Sequence, residues 1–123
     1  MRGLLIDVIN NEVKEVSITE YTDYYPLIQC ETFDIVDRGI GDQRFNLVCD
    51  DEGLLKPDPV ISVLDQADLR MLVGNIVVTG PVDINGDLES LSDQDIQLIK
   101  SFIEEVPDFG ENGQHPVLTR VKY

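Results

Sequence analysis

Residues 71–79, Met71-Leu72-Val73-Gly74-Asn75-Ile76-Val77-Val78-Thr79, are apolar on both parities. A strand with one wet face alternates apolar and polar residues, so a run apolar at consecutive positions reads as a central strand buried on both faces. Shorter runs around it carry turn chemistry. Leu4, Leu5, Ile6 and Val8, then Val13, Val16 and Ile18, flank Asn10-Asn11, a pair that tolerates the positive φ of a tight hairpin. Val13 and Val16 are three apart, which requires a bulge or a change of face between them. Phe33, Ile35 and Val36 and the later Phe45, Leu47, Val48 and Cys49 read as a second hairpin about Gly39-Ile40-Gly41-Asp42. Val60 to Leu64 is too short to decide between a helical turn and a strand.

Two helices are expected. Tyr21 to Gln29 carries Thr22 as a cap and an apolar stripe of Tyr24, Leu27 and Ile28, placing a short helix near 22–29. Ser92 with Asp95 three residues on forms a capping box, and Ile96, Ile99, Phe102, Ile103 and Val106 make one stripe before Pro107, giving a main helix over 93–106. Residues 108–116 read as loop and 117–123 as an edge strand. The fold expected is α+β: a single domain spanning 1–123, with a mostly antiparallel sheet of about five or six strands.

Charge limits the partners. The chain has 24 Asp and Glu against 9 Lys and Arg, a formal charge of −15, yet 42% of its residues are hydrophobic, enough for a core rather than a disordered acidic tail. The excess must face outward. Phosphate backbones and anionic lipid repel such a surface, so direct binding to nucleic acid or a membrane is not expected, and a charged partner would be a basic protein. No apolar run reaches the roughly 18–20 residues of a membrane span, and Asp7 interrupts any leader-like start, so a cytoplasmic protein is expected.

Sites of chemistry are few. Asp83-Ile84-Asn85-Gly86-Asp87-Leu88-Glu89 alternates oxygen ligands as a calcium loop does, but Leu88 stands where the sharp turn needs Gly and Gln94 where a bidentate Glu should close the shell. A solvated turn about Asn85-Gly86 accounts for it. Asp50, Asp51 and Glu52 point in different directions on a turn, a poor magnesium site. Cys30 and Cys49 lack a local basic activator and are expected as unbridged core thiols, while the lone His115 has no His partner. No metal, cofactor or enzymatic activity is expected.

The acids themselves remain. Asp34, Asp37, Asp42, Asp50, Asp51 and Glu52 cluster most densely, near Asp58 and with only Arg38, Arg44 and Lys56 among them, and are the candidate partner contacts. A second cluster runs through Asp83, Asp87, Glu89, Asp93 and Asp95. Alternate strand residues lie about 6.6 Å apart, close to phosphate spacing. A small acidic binding protein that mimics nucleic acid and blocks a basic DNA- or RNA-binding defence protein is therefore the leading expectation. It needs the acids on one face, which would follow if the second hairpin lay beside the N-terminus of the 93–106 helix. The alternative is an accessory or assembly protein, monomer or homodimer, binding through Tyr21, Tyr24 and Tyr25 or through the 117–123 edge.

Three blocks carry a resemblance: Leu47-Val48-Cys49-Asp50-Asp51-Glu52-Gly53, Pro57-Asp58-Pro59 and Val73-Gly74-Asn75-Ile76-Val77-Val78-Thr79-Gly80. They and the order of elements before them are similar to the family catalogued as domain of unknown function 3846, over residues 1 to 105. Asn75 stands where Asp is expected in many relatives, and Val60-Ile61 replaces smaller residues. The resemblance implies the setting of bacterial mobile elements and no particular activity.

Overall fold

Strand β7 (Ile76–Thr79) is fully buried on both faces, and the architecture follows from covering both. The computed structural model describes residues 1–107 and 114–123. β7 lies antiparallel between β1 (Arg2–Asp7) and β4 (Gln43–Asp50), and their hairpin partners β2 (Glu12–Ser17) and β3 (Phe33–Ile40) complete a five-stranded sheet ordered β2-β1-β7-β4-β3. A second sheet runs β6 (Arg70–Val73), β5 (Ile61–Asp65), β9 (Gln114–Val121), β8 (Ile103–Pro107), and only its β5–β9 pairing is parallel. The fold is α+β and mostly antiparallel, as expected. Its nine strands among the described residues form two sheets, however, rather than one sheet of five or six.

Alternate residues enter two cores, because successive strand side chains point to opposite faces. Leu4, Ile6, Phe45, Leu47, Ile76 and Val78 meet Ile96 and Ile99 of helix α2 (Asp93–Ser101) and Val63, Leu118 and Val121 of the second sheet. On the other face Leu5, Val48 and Val77 meet Ile18 and the Tyr24 and Ile28 side chains of helix α1 (Tyr24–Ile28). Each such buried side chain contributes about 1.5–3 kcal/mol. Among the described residues, no helix is long and apolar enough to cross a membrane.

The apolar run 71–79 is two strands rather than one. Gly74, at φ +78°, turns the chain from β6 in one sheet to β7 in the other. Asn75 follows, fully buried, with its Oδ1 accepting from the Val8 amide at 2.9 Å and its Nδ2 donating to the Leu27 carbonyl at 3.0 Å. A polar side chain thus ties the first hairpin to α1 beneath the strand.

The main helix starts as expected and ends early. Ser92 Oγ accepts from the Asp95 amide at 3.0 Å, and the Asp95 carboxylate accepts from the Ser92 amide at 2.9 Å. The helix stops at Ser101, and residues 103–106, assigned to it by spacing, belong to β8. Ile103 pairs with Leu118 and Val106 with His115, while the Phe102 carbonyl accepts both the amide and the hydroxyl of Thr119, at 2.8 and 2.9 Å. The C-terminal segment is likewise corrected. β9 begins at Gln114 and lies between β5 and β8, so it is an inner strand and not an edge. Of the expected 108–116 loop, 114–116 are strand and 108–113 lie outside the described residues.

The segment near 22–29 is a 3-10 turn, Tyr21–Asp23, running into α1. Its cap is not Thr22: the Asp23 carboxylate accepts from the amides of Thr19 and Glu20 at 2.8 and 3.0 Å. The Asp7 carboxylate closes the first hairpin turn by accepting from the Ile9 and Asn10 amides, at 3.0 and 2.9 Å. Burial pushes its pKa up, but these bonds, with side-chain bonds from Asn10 and Asn75, outweigh that and hold it below the usual range.

Asn75→Ala leaves the Val8 amide and the Leu27 carbonyl without their partners, so it is expected to cost about 2–4 kcal/mol. The check is urea unfolding, where the midpoint should fall at constant m-value; an unchanged midpoint would contradict this role.

Candidate functional site

β3 is the outer strand of the first sheet, and the chain's C-terminus is fastened to one end of it. Gly39 and Lys122 exchange backbone bonds of 2.8 and 2.9 Å, Lys122 Nζ donates to the Gly41 carbonyl, and Arg44 Nη1 donates to the Tyr123 carbonyl. Toward the other end of β3, a cleft of about 270 Å³ separates it from β6. Val36, Cys49, Met71, Leu72 and Val73 line it, and the 3-10 turn Gly53–Leu55 forms a lip.

An ion pair between a buried carboxylate and a half-exposed lysine shapes that lip. The Asp50 carboxylate is 5% exposed and lies 2.5 Å from Lys56 Nζ, which also donates to the Gln29 carbonyl at 2.5 Å. The other Asp50 oxygen accepts from the Glu52 amide at 2.9 Å. Gly53 presses on β6 so closely that a Cβ there would sit 3.0 Å from Val73 Cγ2. Beyond it Leu54 and Leu55 project to solvent, 75% and 83% exposed.

The six candidate acids are divided. Asp34, Asp51 and Glu52 stand on the cleft's rim, with Arg70 the one cation of the lining. Asp50 lines the cleft too, but its carboxylate is committed to Lys56. Asp37, three residues from Asp34 on the same strand, faces the opposite side of the sheet and pairs with Arg44 at 2.9 Å. Asp42 sits in the hairpin turn, whose Gly41 packs against Leu98.

That contact also places the second acidic cluster. Leu98 belongs to the C-terminal half of α2, whereas the helix N-terminus lies beside β1, where Asp93 pairs with Arg2 at 2.6 Å. The hairpin turn and the N-terminal acids are therefore at opposite ends of α2. The Asp83 carboxylate closes its own turn, accepting from the Asn85 and Asp87 amides at 2.8 and 3.0 Å. Among the described residues, no three His, Cys, Asp or Glu side chains are grouped to hold a metal ion.

Groups capable of nucleophilic or acid–base work are suppressed or withdrawn into the core, where the Tyr24 hydroxyl and His115 Nδ1 have no hydrogen-bond partner among the described residues. The cysteines are unbridged; burial pushes the Cys49 thiol up to about 11, and burial followed by the nearby Asp50 charge raises Cys30. His115 is buried with Nε2 3.0 Å from the Ile61 carbonyl. Of the tyrosines, Tyr24 is core, with its hydroxyl pushed up to about 12 by burial, Tyr25 is half-buried against Phe33, and Tyr21 is exposed.

The sequence pattern placed Met71 and Leu72 in a buried strand rather than in a site, and did not single out Leu54 or Leu55. The signal available was two adjacent leucines between Asp50-Asp51-Glu52 and Pro57, in a segment too short to bury them.

The family model described as Domain of unknown function (DUF3846) matches residues 1–105, which contain the whole first sheet and every residue of the cleft. No curated protein and no solved structure matches the chain.

Because the thiolate is the reactive form, raised thiol pKa values predict slow reaction of both cysteines with a disulfide reagent at about pH 8, and fast reaction once urea unfolds the chain. Rapid labelling of the folded protein would contradict the assignment.

Proposed function

The chain belongs to the family described as Domain of unknown function (DUF3846), and we propose that it is a non-enzymatic acidic binding protein whose partner is a basic protein. The observation that carries this is how few acids are neutralised. Among the described residues only Glu12, Glu15, Asp37, Asp50 and Asp93 lie within ion-pair distance of a cation, while the whole chain holds 24 acids. An uncompensated field of this sign raises the association rate of cationic partners and repels anionic ones.

Three arguments support binding over catalysis. Cys49 is held protonated, His115 is engaged with a backbone carbonyl, and Asp50 is engaged with Lys56. The partner class proposed is a basic protein that handles DNA or RNA. Because Asp37 faces away from Asp34 and the acids at the helix N-terminus lie apart from the hairpin turn, no continuous acidic face forms, and the carboxylates standing in for phosphates are confined to the cleft rim. The contacts assigned are Asp34, Asp51 and Glu52; Asp37 and Asp50 are already paired and Asp42 lies in the hairpin turn outside the cleft lining, so these three are not among them.

The test is capture of partners from host lysate by the tagged chain at low salt, followed by a salt gradient. A nucleic-acid-binding protein released as salt rises and displaced by duplex DNA is the expected result. A partner held equally at high salt, or one that DNA does not displace, would contradict the proposal.

A further inference from the structure

Resting on that reading, we propose that the cleft between β3 and β6 receives a bulky apolar side chain from a basic segment of the partner, while flanking Lys or Arg residues reach Asp34, Asp51 and Glu52. The size fits a side chain. At about 270 Å³ the cleft has room for one bulky side chain. Its floor of Val36, Met71, Leu72 and Val73 is apolar, and the exposed Leu54 and Leu55 extend that surface outward. An apolar patch bounded by polar groups is the usual anatomy of a docking site.

Charge complementarity selects the occupant. Among the described residues the lining carries Asp34, Asp51 and Glu52 outside any ion pair and Arg70 as its one cation, so the segment that fits is cationic around its apolar anchor. A second copy of this chain brings another −15 charge and is disfavoured for the same reason. The mode is side-chain insertion and not strand addition. Along the free edge of β3 the Ile35 amide already donates to the Asp34 carboxylate at 2.9 Å, and the Asp37 carbonyl accepts from Arg38 and Arg44 at 2.8 and 3.2 Å. The Asp50–Lys56 pair and the contact of Gly53 with Val73 hold the lip in place before any partner arrives, which lowers the ordering cost of binding.

The experiment selects binders to the intact chain from a random peptide library at low salt. Enriched peptides should share a bulky apolar residue flanked by Lys or Arg. Their affinity should fall about tenfold in Leu54→Ser/Leu55→Ser, and about tenfold in Asp34→Asn/Asp51→Asn/Glu52→Gln, since three rim pairs together are worth about that factor. The control Glu12→Gln/Asp87→Asn/Glu89→Gln removes equal charge elsewhere and should change affinity less than twofold. Leu54 and Leu55 are exposed, so their replacement leaves the core intact.

Salt-dependent peptides that bind the cleft variants and the control equally would overturn the cleft assignment and leave the acidic-binding reading standing. Enrichment of neutral or acidic peptides, or none, would overturn both. Light scattering that shows a dimer dissolved by the leucine variant would make a second copy the occupant and also overturn the proposal.

Discussion

Everything in this molecule depends on burying β7 on both faces. A strand with Ile76 and Val78 directed one way and Val77 the other cannot be the wet layer of a simple sheet. The second sheet and α2 cover one face, and α1 covers the other with Tyr24 and Ile28. Asn75 enforces the arrangement where the chain enters β7, because its amide bonds the first hairpin and the end of α1 at once. With the apolar residues consumed in two cores, the acids are left at the periphery.

The cleft arises from how the two sheets meet. Lys122 joins the end of β9's segment to Gly39, closing the gap near the second hairpin's turn. Near Asp34 the side chains of β3 and β6 instead face each other across open space. The chain between β4 and β5 then forms the lip, where Asp50 and Lys56 bracket Gly53, Leu54 and Leu55 with an ion pair whose carboxylate is buried and whose lysine is half-exposed. Removing Lys56 would leave the buried Asp50 carboxylate with the Glu52 amide as its remaining partner among the described residues, whereas Lys56, half-exposed, could be solvated without Asp50. Two exposed leucines and carboxylates outside any ion pair among the described residues then occupy one patch.

What could be read from the sequence was what neighbouring residues decide among themselves. The Ser92–Asp95 box is a contact over three residues, Gly41 at φ +61° turns a tight hairpin, and Val77 sits in a run apolar on both parities. Features decided by distant partners were not legible. Ile99, Phe102, Ile103 and Val106 satisfy helical spacing, and only Leu118 and His115 across the ladder make the last part a strand. The run 71–79 hides a sheet change because Asn75 finds its partners at Val8 and Leu27, far away in sequence. The site was half legible: Asp34, Asp51 and Glu52 were named from charge density, but Asp50 as a strut and Met71 and Leu72 as floor depend on segments meeting in space.

We propose that this acidic chain is read at one place, the apolar cleft rimmed by Asp34, Asp51 and Glu52. Amide hydrogen exchange of the intact protein, free and saturated with a basic protein partner, tests it most directly. Slowed exchange is expected to be confined to 33–36, 51–55 and 70–73, with 12–17 and 83–89 unchanged. Protection of 83–95 or of the β1–β2 hairpin, with the cleft segments exchanging as in the free protein, would contradict it.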